Sequence, residues 1–203
     1  MPLETTIDPL ICTPLLFIGF ITAILFSIGI LKHNKFTFCL MEAARSLGLK
    51  YHDAGFFYAP KLSGEYREKY IHIYSFTKHL SDMSKRYTRI EAAHDGQISS
   101  LISVTAGHLP SDMASSIGLH DVHHLEKKFD NLYNVRGGSS KEVNTLFDGD
   151  LRKMIVERNI DFDISGSHVI HEVEGYITDK KHMLDVLDFL IDVAERIDEL
   201  KKK

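Results

Sequence analysis

This sequence has few cysteines, and its N-terminal part has no positively charged side chain of lysine or arginine. Its 203 residues include two cysteines, Cys12 and Cys39, and no lysine or arginine precedes Lys32. If the segment between the cysteines is helical, a rise of ~1.5 Å per residue places them about 40 Å apart, far beyond the reach of a disulfide. No intramolecular disulfide is therefore predicted, and the cysteine content is compatible with a domain in the reducing cytoplasm.

A basic stripe is also missing from the rest of the chain. All 24 basic residues and all but two of the 28 acidic residues, Glu4 and Asp8, lie in residues 32–203, so this part is nearly neutral. Nucleic-acid binding depends on lysine and arginine placed against phosphates. The short basic run at residues 85–89 alternates between two faces of a strand and is interpreted as a solvated strand face. We predict no nucleic-acid partner.

Motifs that would indicate an enzyme are absent as well. Gly166-Ser167-His168 lacks the Gly-x-Ser-x-Gly elbow of a hydrolase nucleophile, and no cysteine is expected in the domain core to replace it. Residues 137–141 have the glycines and lysine of a phosphate cradle but not its Gly-x-x-x-x-Gly-Lys-Ser/Thr spacing, and a turn followed by a capping box accounts for them. We predict no cofactor and no catalytic residue, and whether the chain is an enzyme stays open.

One long uncharged run stands near the N-terminus. Residues 9–31 carry no charge over 23 positions, and about 20 apolar residues suffice for a helix to cross the hydrocarbon layer. Pro14 fits a first helical turn, so a transmembrane helix is predicted over 14–34, after an extracytoplasmic segment 1–13. A cleaved signal peptide is disfavoured because the preceding residues are acidic and residues 28–33 offer no small-x-small cleavage site. A buried core helix is disfavoured because the run is apolar on all sides.

The charges that flank this run predict its orientation. Two acidic residues precede it, and four basic residues follow it within about 20 residues, the range over which the positive-inside bias acts: Lys32, Lys35, Arg45 and Lys50. We predict a single-pass protein of the cell membrane with its N-terminus outside and its C-terminal domain in the cytoplasm. Gly19 and Gly29 lack the Gly-x-x-x-Gly spacing of a tight helix dimer, so pairing with other membrane proteins or with a second copy stays open.

Residues 35–203 are predicted to form one soluble α+β domain, in which helices pack on a mostly antiparallel sheet. Helical spacing and capping signals predict helices at 38–49, 111–118, 140–147 and 151–158. Alternation and turn residues predict strands at 68–76, 86–93, 99–104, 129–136, 161–164 and 168–176. The Asp-Gly pair at 95–96 suggests that the second and third strands continue an antiparallel meander.

The C-terminal segment shows the clearest helical pattern of the soluble part. Its apolar residues repeat at alternating spacings of four and three: Met183, Leu187, Leu190, Ala194 and Ile197. Thr178 or Asp179 can cap the start of this helix. We predict that it covers one face of the sheet, and pairing with a partner helix in a coiled coil is the alternative.

Histidine is abundant, and four of the twelve histidines fall between residues 108 and 124. If residues 119–128 are helical, His120 and His124 lie one turn apart on one face, at a spacing that can chelate Zn²⁺. With His108 they form a candidate metal site. No cysteine pair or His-Glu-x-x-His pattern completes the ligand set, so solvated surface histidines are the preferred interpretation.

A second group of metal-ligating residues contains His168, His171 and Glu172. Side chains alternate between the two faces of a strand, so His168 and His171 point in opposite directions. They cannot share an ion, and no metal site is predicted there.

The order of landmarks resembles that of uncharacterised membrane-anchored proteins of bacteria and archaea. After the apolar helix it comprises the short motifs at 44–49 (Ala-Arg-Ser-Leu-Gly-Leu), 62–66 (Leu-Ser-Gly-Glu-Tyr), 87–90 (Tyr-Thr-Arg-Ile) and 129–135 (Phe-Asp-Asn-Leu-Tyr-Asn-Val). The resemblance covers most of residues 35–200. It implies a membrane anchor, and it implies no activity and no catalytic residue.

Three hypotheses about function follow. The first is a membrane-anchored interaction or scaffold module without enzymatic activity, which the anchor and the lack of a catalytic constellation favour. The second is a metal-dependent enzyme or sensor that uses the cluster between His108 and His124. The third is an accessory subunit of a larger membrane complex.

Overall fold

The chain has the α+β architecture that its sequence predicts. A computed structural model describes residues 9–53, 59–80, 83–96, 98, 100–107, 122–123 and 125–201. The helices in this part are α1 (Pro9–Leu47), α2 (Lys127–Asp130), α3 (Ser140–Leu146), α4 (Gly149–Arg158) and α5 (Lys180–Lys201). The strands are β1 (Lys50–His52), β2 (Lys61–Tyr66), β3 (Lys69–Leu80), β4 (Met83–Ala93), β5 (Ile102–Ala106), β6 (Val122–His123), β7 (Tyr133–Gly137), β8 (Phe162–Ser165) and β9 (His168–Glu174).

Helix α1 runs without a break through two different environments. Its 39 residues join the two helices predicted at 14–34 and 38–49 into one. Phe17 and Leu25 are about two-thirds exposed, whereas Phe36 and Leu40 are fully buried in the core of the domain. Cys39 is buried beside them, so the expectation that no cysteine lies in the domain core is wrong. Gly48, with φ of +68°, ends the helix as expected.

All strand pairings in the described chain are antiparallel and form one nine-stranded sheet. The strand order is β1-β2-β3-β4-β9-β8-β5-β7-β6. The predicted meander is therefore correct for β3 and β4 but wrong for the third strand, because β9 and β8 lie between β4 and β5. The hairpin predicted from 161–164 and 168–176 is confirmed as β8 and β9.

The turn after β4 explains why the meander stops. The backbone N–H of His94 donates to the carbonyl of Ser167 at 2.8 Å, at the start of β9. The N–H groups of Asp95 and Gly96 donate to Asp198 Oδ1, at 2.7 and 3.0 Å, near the end of α5. These bonds direct the chain toward the start of β9 and the end of α5, so the Asp-Gly pair does not close a hairpin.

The start of β7 also differs from the expected strand at 129–136. Asp130 N–H donates to the carbonyl of Glu126 at 2.8 Å, and the Asp130 side chain accepts from Leu125 N–H at 3.1 Å. These local bonds favour the short helix α2 over an extended chain. The strand begins at Tyr133, whose ring stacks on that of Phe129 at 5.3 Å.

The helices pack on one face of the sheet, where the apolar strand residues are buried. These include Ile71, Ile73, Ile90, Ala92 and Val169. Helix α5 lies against β4 and β9, and its predicted apolar stripe from Met183 to Ile197 is buried there. Asp179 rather than Thr178 provides the cap, since its Oδ1 accepts from His182 N–H at 3.2 Å.

Ion pairs fix the polar side of α5 to the β2–β3 hairpin. The two-residue turn of this hairpin holds Arg67 and Glu68 at φ of +52° and +61°. Arg67 reaches Asp192 and Glu195, each at 2.8 Å. Lys69 pairs with Asp198, and both side chains are only 12% exposed. Truncation of either partner would leave a largely buried charge without its counterion, so this contact holds α5 in register.

The helix starts in the second half of the domain follow their sequence signals. Ser139 and Glu142 form the predicted capping box, with Glu142 N–H donating to Ser139 Oγ at 3.2 Å and Ser139 N–H to Glu142 Oε2 at 2.9 Å. Helix α4 begins two residues before the predicted start at 151, because Asp148 Oδ1 accepts a hydrogen bond from Leu151 N–H at 3.0 Å and caps the helix.

Glycine substitutions test how tightly the helices pack on the sheet. Gly138 has φ of +71°, and a Cβ placed there would lie 2.7 Å from Ile102 Cγ1 in the core. We expect Gly138→Ala to lower the free energy of unfolding by about 1–3 kcal/mol, because both the backbone and the packing are strained. The measurement is urea unfolding of the detergent-solubilised full chain, followed by circular dichroism.

Gly149→Ala is the matched control for this substitution. Gly149 lies in α4, and an added Cβ would meet nothing within 4 Å. The free energy of unfolding of this variant should stay within about 1 kcal/mol of the wild-type value or rise slightly, because alanine favours the helix. Equal unfolding midpoints for the two variants would contradict the described packing of the 137–138 turn.

Candidate functional site

The face of the sheet opposite the helices carries aromatic and charged side chains. Its central part, here called the open face, consists of residues that alternate with the buried ones on β3, β4 and β9: His72, Tyr74, Phe76, Lys78, Lys85, Tyr87, Arg89, Glu91, Glu172 and Glu174. Strand register places Tyr74 beside Arg89 and Arg89 beside Glu172. The predicted solvated face at 85–89 is part of this surface, although Thr88 in the same run is fully buried on the other side.

Arg89 is the centre of a hydrogen-bond network on the open face. Its Nε donates to Glu172 Oε1 at 2.6 Å, and its Nη1 donates to Glu91 Oε1 and to Tyr74 Oη, each at 3.2 Å. Tyr74 Oη in turn donates to Glu91 Oε1 at 3.1 Å. Glu172 also pairs with Lys78. The charged groups therefore satisfy one another, and the network holds three strands in a fixed arrangement.

Cations stand directly opposite each other where β3 and β4 approach their hairpin end. The register pairs Lys78 with Lys85, which by itself is unfavourable. Strand β9 supplies the compensation, since Glu172 binds Lys78 and Glu174 binds Lys85. The three cations of the open face are thus balanced by three carboxylates, and the net charge of the face stays low.

The carboxylates of the network are held in their ionised form. Burial alone would raise the pKa of Glu172, but the hydrogen bonds and charges of Lys78 and Arg89 outweigh it and place the pKa below its ordinary value. Burial also opposes ionisation of Glu91, yet hydrogen bonds from His72, Tyr74 and Arg89 lower its pKa. Neighbouring Asp163 behaves differently, because burial raises its pKa despite a hydrogen bond with Ser103.

Aromatic rings form a continuous row along the network. Ring centroids are 4.5 Å apart for His72 and Tyr74, 5.9 Å for Tyr74 and Phe76, and 6.0 Å for Phe76 and Tyr87. The Arg89 guanidinium lies 5.0 Å from the Phe76 ring centroid. Such contacts contribute about 0.5–1.5 kcal/mol per aromatic pair. The row is a rigid surface of rings and paired charges, and aromatic residues of this kind are enriched at protein interfaces.

The described residues do not include the predicted metal site. His108, His120 and His124 fall outside the described residues, so the metal hypothesis stays a prediction. Within the described ranges, no group of three histidine, cysteine or acidic side chains is placed to hold a metal ion. His171 is buried, and its Nδ1 donates to the Asp161 carbonyl at 2.7 Å. Burial lowers the pKa of His171, which favours its neutral form in the core.

The residues of the open face were not singled out by sequence reasoning as a site. The alternation of β3 predicts correctly that His72, Tyr74 and Phe76 share a face. The partner strand β9, however, lies more than 80 residues further along the chain from Arg89. Only the tertiary pairing of β4 with β9 brings Glu172 to Arg89, and no local motif encodes that pairing.

The network predicts a specific pH dependence of stability. At pH 7, we expect Glu172→Gln to lower the free energy of unfolding by about 1–3 kcal/mol, because Arg89 and Lys78 lose a charged acceptor. The folded-state pKa of Glu172 lies below its ordinary value of 4.5, so this stabilisation is complete above that value and disappears as the pH falls through the folded pKa. The difference in the free energy of unfolding between variant and wild type should therefore become smaller between pH 5 and pH 3. The measurement is urea unfolding of the solubilised full chain.

Glu174→Gln is the control on the same strand. Glu174 pairs with Lys85, but its side chain is 57% exposed. Solvent screening limits the contribution of such pairs to about 0–1 kcal/mol. The free energy of unfolding of this variant should therefore stay close to that of the wild type at every pH. A deficit of Glu172→Gln that is as large at pH 3 as at pH 7 would exclude ionised Glu172 as its source.

Comparison with known proteins identifies the fold but no family. No family model matches the chain, and no curated protein matches it in sequence. Among solved structures, the chain is similar to the crystal structure of the mycobacterial trehalose monomycolate transport factor A, TtfA, with a TM-score of 0.52 and 9% sequence identity. The similarity covers 81% of this chain and 93% of TtfA. At this identity the comparison shows that the two chains share a fold.

Proposed function

We propose that this protein is a membrane-tethered accessory domain, in which residues 14–34 span the membrane. The α+β domain lies in the cytoplasm and binds a neighbouring integral membrane protein through the open face. The observation that carries the proposal is the continuity of α1. One helix supplies both the exposed apolar segment and part of the domain core. The domain is thus attached to its anchor without a flexible linker.

The exposed half of α1 supports the anchor. Within the described residues, one helix, over Phe17–Leu47, is long and apolar enough to cross a membrane. Phe20 and Phe26 on this helix are 66% and 69% exposed, which is unfavourable in water over so many residues. A lipid environment removes this penalty, and the uncharged run is long enough to cross a layer of ~30 Å.

The junction between anchor and domain is rigid. Phe36 is fully buried, and its ring lies 4.9 Å from that of Tyr176. One turn earlier, His33 Nδ1 is 3.4 Å from Tyr176 Oη. The domain therefore begins within about one helical turn, or ~6 Å, of the first basic residue, Lys32. Such a domain lies against the membrane surface and can reach only partners located there.

Orientation follows from the basic residues that come after the span. Lys32, Lys35, Arg45 and Lys50 favour the cytoplasmic side for the domain, and the acidic N-terminus favours the outside. In this topology Lys153, which is 76% exposed on α4, faces the cytoplasm.

Thiol labelling in intact cells tests the anchor and its orientation. The probe is the full chain with Cys12→Ser and Lys153→Cys, because Cys39 is only 2% exposed and is shielded from reagents. We expect the chain to stay in the membrane pellet at alkaline pH, and a membrane-impermeant maleimide to label position 153 only after the cells are permeabilised. Thr5→Cys in the same Cys12→Ser background is the converse control and should react in intact cells. Labelling of position 153 before permeabilisation would reverse the topology, and recovery of the chain in the soluble fraction would refute the anchor.

The open face supports the binding of a partner of low net charge. Its central charged groups are already paired, for example Arg89 and Lys78 with Glu172. A highly charged partner would have to break these pairs, whereas an apolar or aromatic segment can pack on Tyr74, Phe76 and Tyr87 without disturbing them. A membrane protein has such segments in its loops close to the bilayer. The shared fold with a transport factor is consistent with an accessory role beside a membrane machine.

Site-specific photocrosslinking tests the open face. We expect a photoreactive phenylalanine analogue at Phe76 to give an adduct with a membrane protein in intact cells, because this ring lies in the centre of the aromatic row. The same analogue at Val156, which is 41% exposed on α4, is the control and should give none. An adduct of twice the mass of the chain would identify a second copy as the partner instead. Equal adducts at both positions, or none at Phe76, would refute the proposed surface.

A further inference from the structure

A cleft lies at the junction of α1, the β3–β4 hairpin and the end of β9. It encloses about 510 Å³, and its lining includes Lys32, Lys85, Arg86, Glu174, Tyr176 and Thr178. Three of these side chains are cationic and one is anionic. The cleft combines residues from three separate parts of the chain, so it depends on the folded domain and not on a local basic run.

The position of Lys32 fixes the level of the cleft relative to the membrane. Lys32 is the first charged residue after the uncharged run at 9–31, so in the proposed topology it lies where the hydrocarbon layer ends. Tyr176 forms the wall beside it and contacts His33 and Phe36 on the following turn of α1. The cleft therefore lies in the layer of lipid headgroups, next to the span itself.

The cations of the cleft are available for an anionic ligand. Lys85 donates to Glu174 at 2.8 Å, but the two side chains are 38% and 57% exposed, so this pair is weak and easily exchanged. Arg86 lies over the Tyr176 ring, with Cζ 5.9 Å from the centroid, and this contact leaves its N–H donors unused by the ring. Ser84 and Thr178 add hydroxyl groups to the lining. Several cations and hydroxyls around one space are suited to bind a phosphate group.

We propose that this cleft binds the phosphate headgroup of an anionic phospholipid in the cytoplasmic leaflet. The proposal rests on the membrane anchor and orientation proposed above. Bound there, the lipid would bridge Lys32 on the span to Lys85 and Arg86 on the hairpin, and so fix the tilt of the domain on the bilayer surface. Anionic lipids are favoured over zwitterionic ones because the cleft has an excess of positive charge.

Native mass spectrometry of the full chain in mild detergent tests the proposal. The probes are phosphatidylglycerol, phosphatidylcholine and inorganic phosphate, titrated separately. We expect phosphatidylglycerol to bind at least about five-fold more tightly than phosphatidylcholine, since each cation near an anionic lipid contributes about a five-fold preference. Inorganic phosphate should neither bind stably nor displace the lipid. Displacement by phosphate would identify a soluble anion as the ligand and overturn the proposal.

Variants locate the binding within the cleft. The triple substitution Lys32→Gln, Lys85→Gln and Arg86→Gln should abolish the preference for phosphatidylglycerol. The matched control changes three exposed lysines on the helices of the domain, Lys127, Lys141 and Lys153, to glutamine, and should retain the preference. Equal lipid binding by the two triple variants would refute the cleft as the site.

Lys32 alone provides a test that leaves the contacts of the hairpin intact. Lys32→Gln keeps the Lys85–Glu174 pair and the Arg86–Tyr176 stack, and it should reduce the affinity for phosphatidylglycerol about five-fold. Lys32→Arg should restore it. If Lys32→Gln binds phosphatidylglycerol as tightly as the wild type does, the cleft does not bind the lipid headgroup as proposed. All variants should still resist alkaline extraction from the membrane. If the cleft does not bind the lipid, the wild type still stays in the membrane, whereas without the anchor the wild type itself would be soluble.

Discussion

The packing of the C-terminal half of α1 into the domain core is the constraint on which the rest of the structure depends. Phe36, Leu40 and Ala43 are fully buried, and they belong to the same uninterrupted helix as the exposed apolar residues that precede Lys32. A rigid helix transmits orientation as well as position, because its rotation fixes which side of the domain lies next to the exposed apolar segment. Any change in the angle between the exposed apolar segment and the domain would have to break these core contacts or bend the helix.

Helix α5 completes this arrangement from the other end of the chain. It packs against α1 and against the two central strands β4 and β9, and the Lys69–Asp198 pair holds its C-terminal part to the β2–β3 hairpin. The residues that pack against the C-terminal half of α1 are thus far apart in sequence. The open face is a consequence, because all the described helices are used on one side and the other side of the sheet stays aromatic and polar.

The sequence predicts those elements whose signals are local. The stripe from Met183 to Ile197 repeats at helical spacing, and the Ser139–Glu142 capping box lies within one turn, so both are correct. The pairing of β5 is wrong because strand order depends on contacts between distant segments, and the hydrogen bonds from Asp95 and Gly96 to Asp198 join residues about 100 positions apart. The candidate site was missed for the same reason, since Lys78 and Glu172 are 94 positions apart and become neighbours only in the folded sheet.

The open face and the basic cleft are parts of one charge pattern. Lys85 and Glu174 lie on the open face, next to Lys78 and Glu172, and they also line the cleft. In the proposed lipid complex, a phosphate that attracts Lys85 would release Glu174 and leave an unpaired carboxylate at the end of the open face. Because Tyr87 stands directly opposite Glu174 in the register, this change reaches the end of the aromatic row.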